Sequence, residues 1–196
     1  GWGLDYPWLG QTAGANEVAH KKFLNDWFTG KRPGSDSRGE LYNDDPRLGD
    51  ARLCGTTASL CGTEAAVYEK DGGKLERSIA CDLTLHAWML SQSGIPVVYS
   101  GDEVGQLNDY SYHNDPEKRD DSRYIHRGDF QWDLAQLRTD PETRQGKLFQ
   151  GLRRLEQLRA EEPCFDARAD VWTLDSGDKR VLVLCRRAEG RELICL

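Results

Sequence analysis

Apolar residues recur at helical spacing in several stretches of the chain and in short continuous or alternating runs elsewhere. Val18, Phe23, Trp27 and Phe28 form a stripe that begins behind Asn16, a good N-cap, and stops at Gly30 and Pro33, which predicts a helix. Thr56 or Thr57 caps a second, short helix through Ala66 and Val67. After Gly72 and Gly73, the positions Leu75, Ile79, Leu83 and Leu90 mark a longer helix. Ser78, Cys81, Leu85 and Trp88 widen its face, as suits a helix packed on a sheet. Gly94 ends it, and a strand over residues 97–99 is predicted to follow, making the second half of a βα unit. A last helix is predicted with Thr139 or Asp140 as cap, Pro141 at the first helical position and Glu142 complementing the dipole. Its stripe is Leu148, Leu152, Leu155 and Leu158, and Pro163 stops it. Residues 170–174, 180–186 and 192–196 read as strands separated by Ser176-Gly177-Asp178 and Glu189-Gly190 turns.

The intervening stretches lack periodicity. Residues 1–15, rich in glycine with Pro7 and two tryptophans, read as loop, and residues 31–55 as a polar, turn-rich excursion or lid. Residues 100–133 have neither helical nor strand spacing, and loops of that length in compact domains are usually functional. The pattern changes near Phe165, from helix and strand alternation to an antiparallel meander. The reading therefore divides the chain into residues 1–72, 73–165 and 166–196.

Length and charge narrow the function classes. A chain of 196 residues suits one domain or slightly more. The formal charge of −7 argues against nucleic acid, which needs a basic footprint. No run of about eighteen apolar residues exists, so no membrane span is expected. The chain opens without a methionine and closes on an apolar run, so both ends read as cut. Cys54, Cys61, Cys81, Cys164, Cys185 and Cys195 form no CxxC pair and have no histidine at metal-ligand spacing, which argues against zinc. They read as reduced thiols of a cytoplasmic protein, a disulfide in an exported protein being the alternative. No cofactor is expected.

The chemistry concentrates in the long loop, which holds Asp102, Glu103, Asp109, Asp115, Asp120 and Asp121, with Arg119, Arg123 and Arg127 and the aromatics Tyr110, Tyr112, Tyr124 and Phe130. Such a mixture suits sugars, whose C–H faces pack on aromatic rings while charged groups hold the hydroxyls. Asp102 and Glu103 do not qualify as the paired carboxylates of a retaining glycosidase. Those must lie about 5–5.5 Å apart across one bond, whereas neighbours at a strand end point to opposite faces. Asp120 and Asp121 meet the same objection, one of them being able to brace Arg123. The alternative is that these carboxylates accept backbone N–H bonds and shape the loop.

The stretch from Gly94 to Arg123, with Gly101-Asp102-Glu103-Val104-Gly105-Gln106-Leu107-Asn108-Asp109, Asp120-Asp121-Ser122-Arg123 and His126-Arg127, resembles the α-amylase superfamily, and within it the amylosucrase group. His20-Lys21-Lys22-Phe23-Leu24-Asn25 and Gly49-Asp50-Ala51-Arg52-Leu53-Cys54-Gly55-Thr56 resemble the excursion that group inserts after its seventh barrel strand. The resemblance implies an α/β fold: the C-terminal part of a TIM (β/α)8 barrel with a helical insertion, followed by the first strands of an antiparallel β-domain. It further implies a parent enzyme performing retaining glucosyl transfer or hydrolysis on sucrose or related α-glucosides, with glucan acceptors. Its catalytic carboxylates would precede Gly1, so the chain alone should be inactive. Carried over by position, Arg123 would close the glucosyl pocket, Arg52 would line the acceptor path, and Lys21 would stand where the group has arginine. Asp102 and Asp121 complete the expected substrate-binding set. The alternative function is a non-catalytic module that binds sugar weakly or associates with a partner. Self-association is expected from its open edges. His86 reads as a packing residue, and of the six tryptophans only Trp2 and Trp8 suggest sugar platforms.

Overall fold

The computed structural model describes residues 3–178 and 180–195. These form two compact units, each built from two stretches of chain. The first comprises residues 3–80 with Gly105–Asp133, and the second Cys81–Val104 with Leu134 onward.

In the first unit, helix α1 (Tyr6–Ala13) occupies a stretch expected to be loop. Its signals are local: the Asp5 side chain accepts from Trp8 N–H, Pro7 lies in the first turn and Gly14 closes it in the left-handed conformation. Helix α2 (Glu17–Phe28) is capped by Asn16 as expected. The excursion after it contains an unpredicted antiparallel hairpin, β1 (Glu40–Asp45) with β2 (Asp50–Cys54), with an irregular register between Tyr42 and Asp45. The hairpin turn rests on α2 through Asn25, whose side-chain amide donates to the Gly49 carbonyl at 2.8 Å. Gly49 has φ +73°, and a Cβ there would come within 3.0 Å of the Lys21 Cβ. No other residue fits that approach without strain. The expected short helix splits into α3 (Thr57–Leu60) and α4 (Thr63–Glu69), because Gly62 turns left-handed between them. The longer helix, α5 (Gly72–Ser91), forms as expected and gives its first half to this unit and its second half to the other.

The second unit ends in a three-stranded antiparallel sheet in the order β3 (Asp170–Leu174), β4 (Val183–Ala188), β5 (Arg191–Cys195). The short helix α6 (Trp132–Ala135) leads into a 3-10 turn, Gln136–Thr139, and then α7 (Arg144–Glu161). The last helix thus starts later than its capping signals suggest. Asp140 uses its side chain to accept from Glu142 N–H, folding Pro141 into a turn, and Thr143 caps instead by accepting from Gly146 N–H at 3.0 Å. The turn fits only because Gly146 has no Cβ, which would lie 1.7 Å from the Asp140 carbonyl oxygen.

The barrel expectation is overturned. A (β/α)8 barrel is a closed ring of parallel strands, whereas the described residues form two open antiparallel sheets of two and three strands. The predicted strand at residues 97–99 is in neither sheet. A strand is defined by its ladder, and neither sheet extends to this segment.

Candidate functional site

The first unit gathers most of the predicted site residues around a small core of Cys54, Tyr112 and Ile125, against which Tyr42 and Tyr124 pack. Arg123 lies in a 3-10 turn, Ser122–His126, whose cap is Asp121. Its guanidinium makes a fork with that carboxylate, Nε to Oδ1 at 2.8 Å and Nη2 to Oδ2 at 2.6 Å, and lies 4.2 Å from the Tyr42 ring centroid. The brace expected from Asp120 or Asp121 is therefore Asp121. The Arg123 hydrogen bonds hold the Asp121 carboxyl down at about 2, so it is ionised at any ordinary pH and cannot deliver a proton. The pair can bind; it cannot do acid–base work.

The neighbouring groups are similarly committed. Tyr112, buried, donates to Glu40, and burial followed by that carboxylate pushes its phenol well up. His113 stacks on Tyr110 and faces Glu40 at 3.3 Å. Tyr110 donates to Glu64 at 2.8 Å, and its pKa is pushed up to about 12, chiefly by burial. His126 accepts from Gly55 N–H through Nδ1 at 3.2 Å, which places its ring proton on Nε2, and burial lowers its pKa. Tyr112 and Tyr124 thus pack in the small core, Tyr110 remains exposed, and Phe130 rests edge-on against Trp132.

Arg52 is exposed on β2, opposite Tyr42 in the ladder. Lys21 is buried in α2 and bridges Glu17 and Asp50, 2.6 Å from each. Those two carboxylates hold its pKa far up. It ties α2 to the hairpin, which explains why a lysine stands there without reference to any acceptor. Trp8 is exposed on α1, and Trp2 lies outside the described residues.

Asp102 belongs to the second unit, so the structure does not gather all five residues in one unit. It is buried in a 3-10 turn with an oxygen 3.9 Å from His86 Nε2, while His86 Nδ1 lies 2.8 Å from Asp82 Oδ1. The Nδ1–H also faces the Asp82 carbonyl oxygen at 3.0 Å, and neither carboxylate oxygen of the fully buried Asp82 receives a hydrogen bond. The contact is an ion pair when His86 is protonated. Burial lowers the His86 pKa, but the two aspartates outweigh it and the net direction is up. His86 is buried, as a packing residue would be, and it also faces the carboxylates of Asp82 and Asp102. Glu103 accepts from Gly101 N–H at 2.8 Å, shaping the loop as turn carboxylates do.

Two residues with no motif prove central to the second unit. Arg186, fully buried in β4, donates from Nε to Cys164 O at 2.6 Å, from Nη1 to Ser91 O at 2.8 Å and from Nη2 to Asp166 O at 3.1 Å. Among the described residues no carboxylate pairs with it. Arg159, from α7, donates to the carbonyls of Leu90, Gln92 and Gly94, the last at 2.8 Å. Together they satisfy carbonyls at the end of α5 and set the exit of the segment 95–99. Sequence reasoning missed both, because burial of a charge against carbonyls carries no local signal. An open depression of about 430 Å³, bordered by Asp166, Arg168, Arg187 and Glu189, also lies in this unit, away from every predicted site residue of the second unit in sequence.

No family model matches the chain. With two open antiparallel sheets in place of a barrel, and with the loop carboxylates spent on Arg123, His86 and turn N–H groups rather than paired across a cleft, the reading as part of an α-amylase-family glucosidase or glucosyltransferase is overturned. Among the described residues no three His, Cys, Asp or Glu side chains are placed to hold a metal ion.

Proposed function

We propose that this chain is a protein association module whose docking element is the segment 95–99. The observation that supports it is the alternation of exposure along Ile95-Pro96-Val97-Val98-Tyr99: Ile95 is 93% exposed, Val97 74% and Tyr99 49%, while Pro96 and Val98 are half-buried. A period of two with one exposed apolar face is the pattern of a half-buried strand. Single exposed apolar residues are ordinary; three in alternation on an uncharged run are not. Burying Ile95 and Val97 alone is worth about 1.5–3 kcal/mol each. The segment is also held ready, by Arg159 at the Gly94 carbonyl and by the Asp102 N–H bond to the Tyr99 carbonyl at 3.0 Å. Strand addition is the mode of binding that covers the exposed Ile95 and Val97 side chains.

None of the six cysteines forms a disulfide, which supports a reducing, cytoplasmic setting as part of this proposal. No helix among the described residues is long and apolar enough to cross a membrane.

The test uses a fluorescein-labelled Thr-Val-Thr-Val-Thr peptide, an uncharged strand former, titrated against the chain at submicromolar protein. It should bind, and Val97→Asp should abolish binding while leaving the circular dichroism spectrum unchanged. Equal binding to both proteins, or none to either, overturns the docking role.

A further inference from the structure

We propose that Asp82, His86 and Asp102 form a proton-operated latch on the strap of chain 95–104: a protonated His86 ties the 3-10 turn Asp102–Val104 to α5, and loss of that proton loosens it. The two ends of the strap are fastened differently. At its start, Arg159 holds the Gly94 carbonyl at 2.8 Å, and arginine keeps its charge at any ordinary pH. At its end the turn stands against His86, whose Nε2 lies 3.9 Å from an Asp102 carboxylate oxygen. The other ring nitrogen lies 2.8 Å from Asp82 Oδ1, and Asp82 is fully buried with neither carboxylate oxygen receiving a hydrogen bond. A carboxylate shut away from water without a donor relies on a nearby cation. His86, one turn along the same helix, is placed to supply it.

Protonated, the ring presents an N–H on both sides, one toward each carboxylate. Neutral, it keeps one proton. With that proton on Nδ1, facing Asp82, Nε2 turns a lone pair toward Asp102, and the attraction gives way to mild repulsion. The carboxylates that act on the ring are Asp82 on its own helix and Asp102 on the turn, while Glu103 accepts from the Gly101 N–H instead. α7 packs against the same turn and carries Arg144 and Lys147 near its start. Arginine and lysine ordinarily titrate far above histidine, so these two supply a constant background even with burial lowering Arg144. Burial also lowers the His86 pKa and the aspartates raise it by more, so the latch opens above the ordinary histidine value of about 6.5. Val104, 1% exposed, keeps the turn seated at every pH, and the proton therefore sets how often the turn opens rather than where it rests. The latch concerns how the strap is held, whatever binds it, so failure of the peptide titration above bears on the docking role alone.

Amide hydrogen exchange at Asp102 and Val104, whose N–H groups bond to the Tyr99 and Gly101 carbonyls, reads the latch directly. Corrected for the intrinsic pH dependence of exchange, protection at these two amides should fall roughly threefold to tenfold between about pH 6 and about pH 8.5. In low concentrations of urea their exchange should stay level while that of Leu148 and Leu152 in α7 speeds up, because opening the turn exposes little surface and global unfolding exposes much. His86→Gln should make the two reporters indifferent to pH. Asp102→Asn, which leaves Asp82 and His86 in place, should do the same while the His86 ring still titrates by NMR. It also decides the matter if circular dichroism shows that His86→Gln does not fold. Reporters that do not follow pH in the parent chain overturn the latch. So does exchange that follows urea as α7 does, which would leave His86 a determinant of global stability alone, or a pH response that survives Asp102→Asn.

Discussion

Arg123 in the first unit and Arg186 in the second solve the same problem in opposite ways. Arg123 is half-buried and neutralised by a carboxylate two residues away in the chain, with the Tyr42 ring beneath it. Arg186 is fully buried and held by three backbone carbonyls drawn from α5, the turn after α7 and the chain leading to β3. The first interaction is local and open to solvent, so either partner could leave it and be rehydrated. The second is made of long-range contacts that water cannot replace. A charge recognised through a motif is therefore not the one on which this fold depends.

The sharpest way to break that comparison is Arg186→Met. Two buried carbonyls, those of Cys164 and Ser91, lose a donor at once, each costing about 1–3 kcal/mol when left unsatisfied, so a loss on the order of 2 kcal/mol or more is expected in urea unfolding. Arg186→Lys should recover only part, since a point ammonium cannot reproduce the planar fork. A change at Arg186 no larger than that at Arg123 would erase the distinction drawn here.

A smaller effect is expected at His86. Its pKa is raised in the fold, where burial opposes and the carboxylates of Asp82 and Asp102 prevail. The folded state then binds more protons than the unfolded one just above the ordinary histidine value. The stability it contributes is full below about 6.5 and is lost as pH rises through the folded pKa. Urea midpoints measured below and above neutrality should fall with rising pH in the parent chain, and His86→Gln should flatten that dependence. A slope unchanged by the substitution would remove the Asp82, His86, Asp102 cluster from the account.

The smallest effect is expected at the pair that drew attention first. The Asp121 carboxyl, held at about 2 by Arg123, contributes stability above about 4 that is lost as pH falls through the folded value. Arg123→Gln should remove that acid-side component and little else, because solvent screens a half-exposed pair. Arg52→Ala, at an exposed position on β2, should be silent and sets the zero of the scale. Thermal unfolding at neutral and acid pH measures both.

Local signals in the sequence determined the helix behind Asn16, the long helix after Gly72, and the three strands of the meander, because caps, periodicity and turn residues act within a few positions. They were present too for α1, in Asp5, Pro7 and Gly14, but were masked by the surrounding glycines. The β1 and β2 hairpin was not legible, since its strands, rich in Asp, Asn and Arg, take their stability from α2 and from the turn around Arg123 rather than from alternation. Family likeness in the loop motifs pointed to a barrel that the strand pairing does not form. Which residues form a strand, which arginine is essential and which apolar run stays bare were decided only by the tertiary structure. Pairing, desolvation and cover depend on partners remote in the chain, and the 95–99 segment shows this most plainly: its sequence is that of a strand, and it joins neither sheet of the described residues.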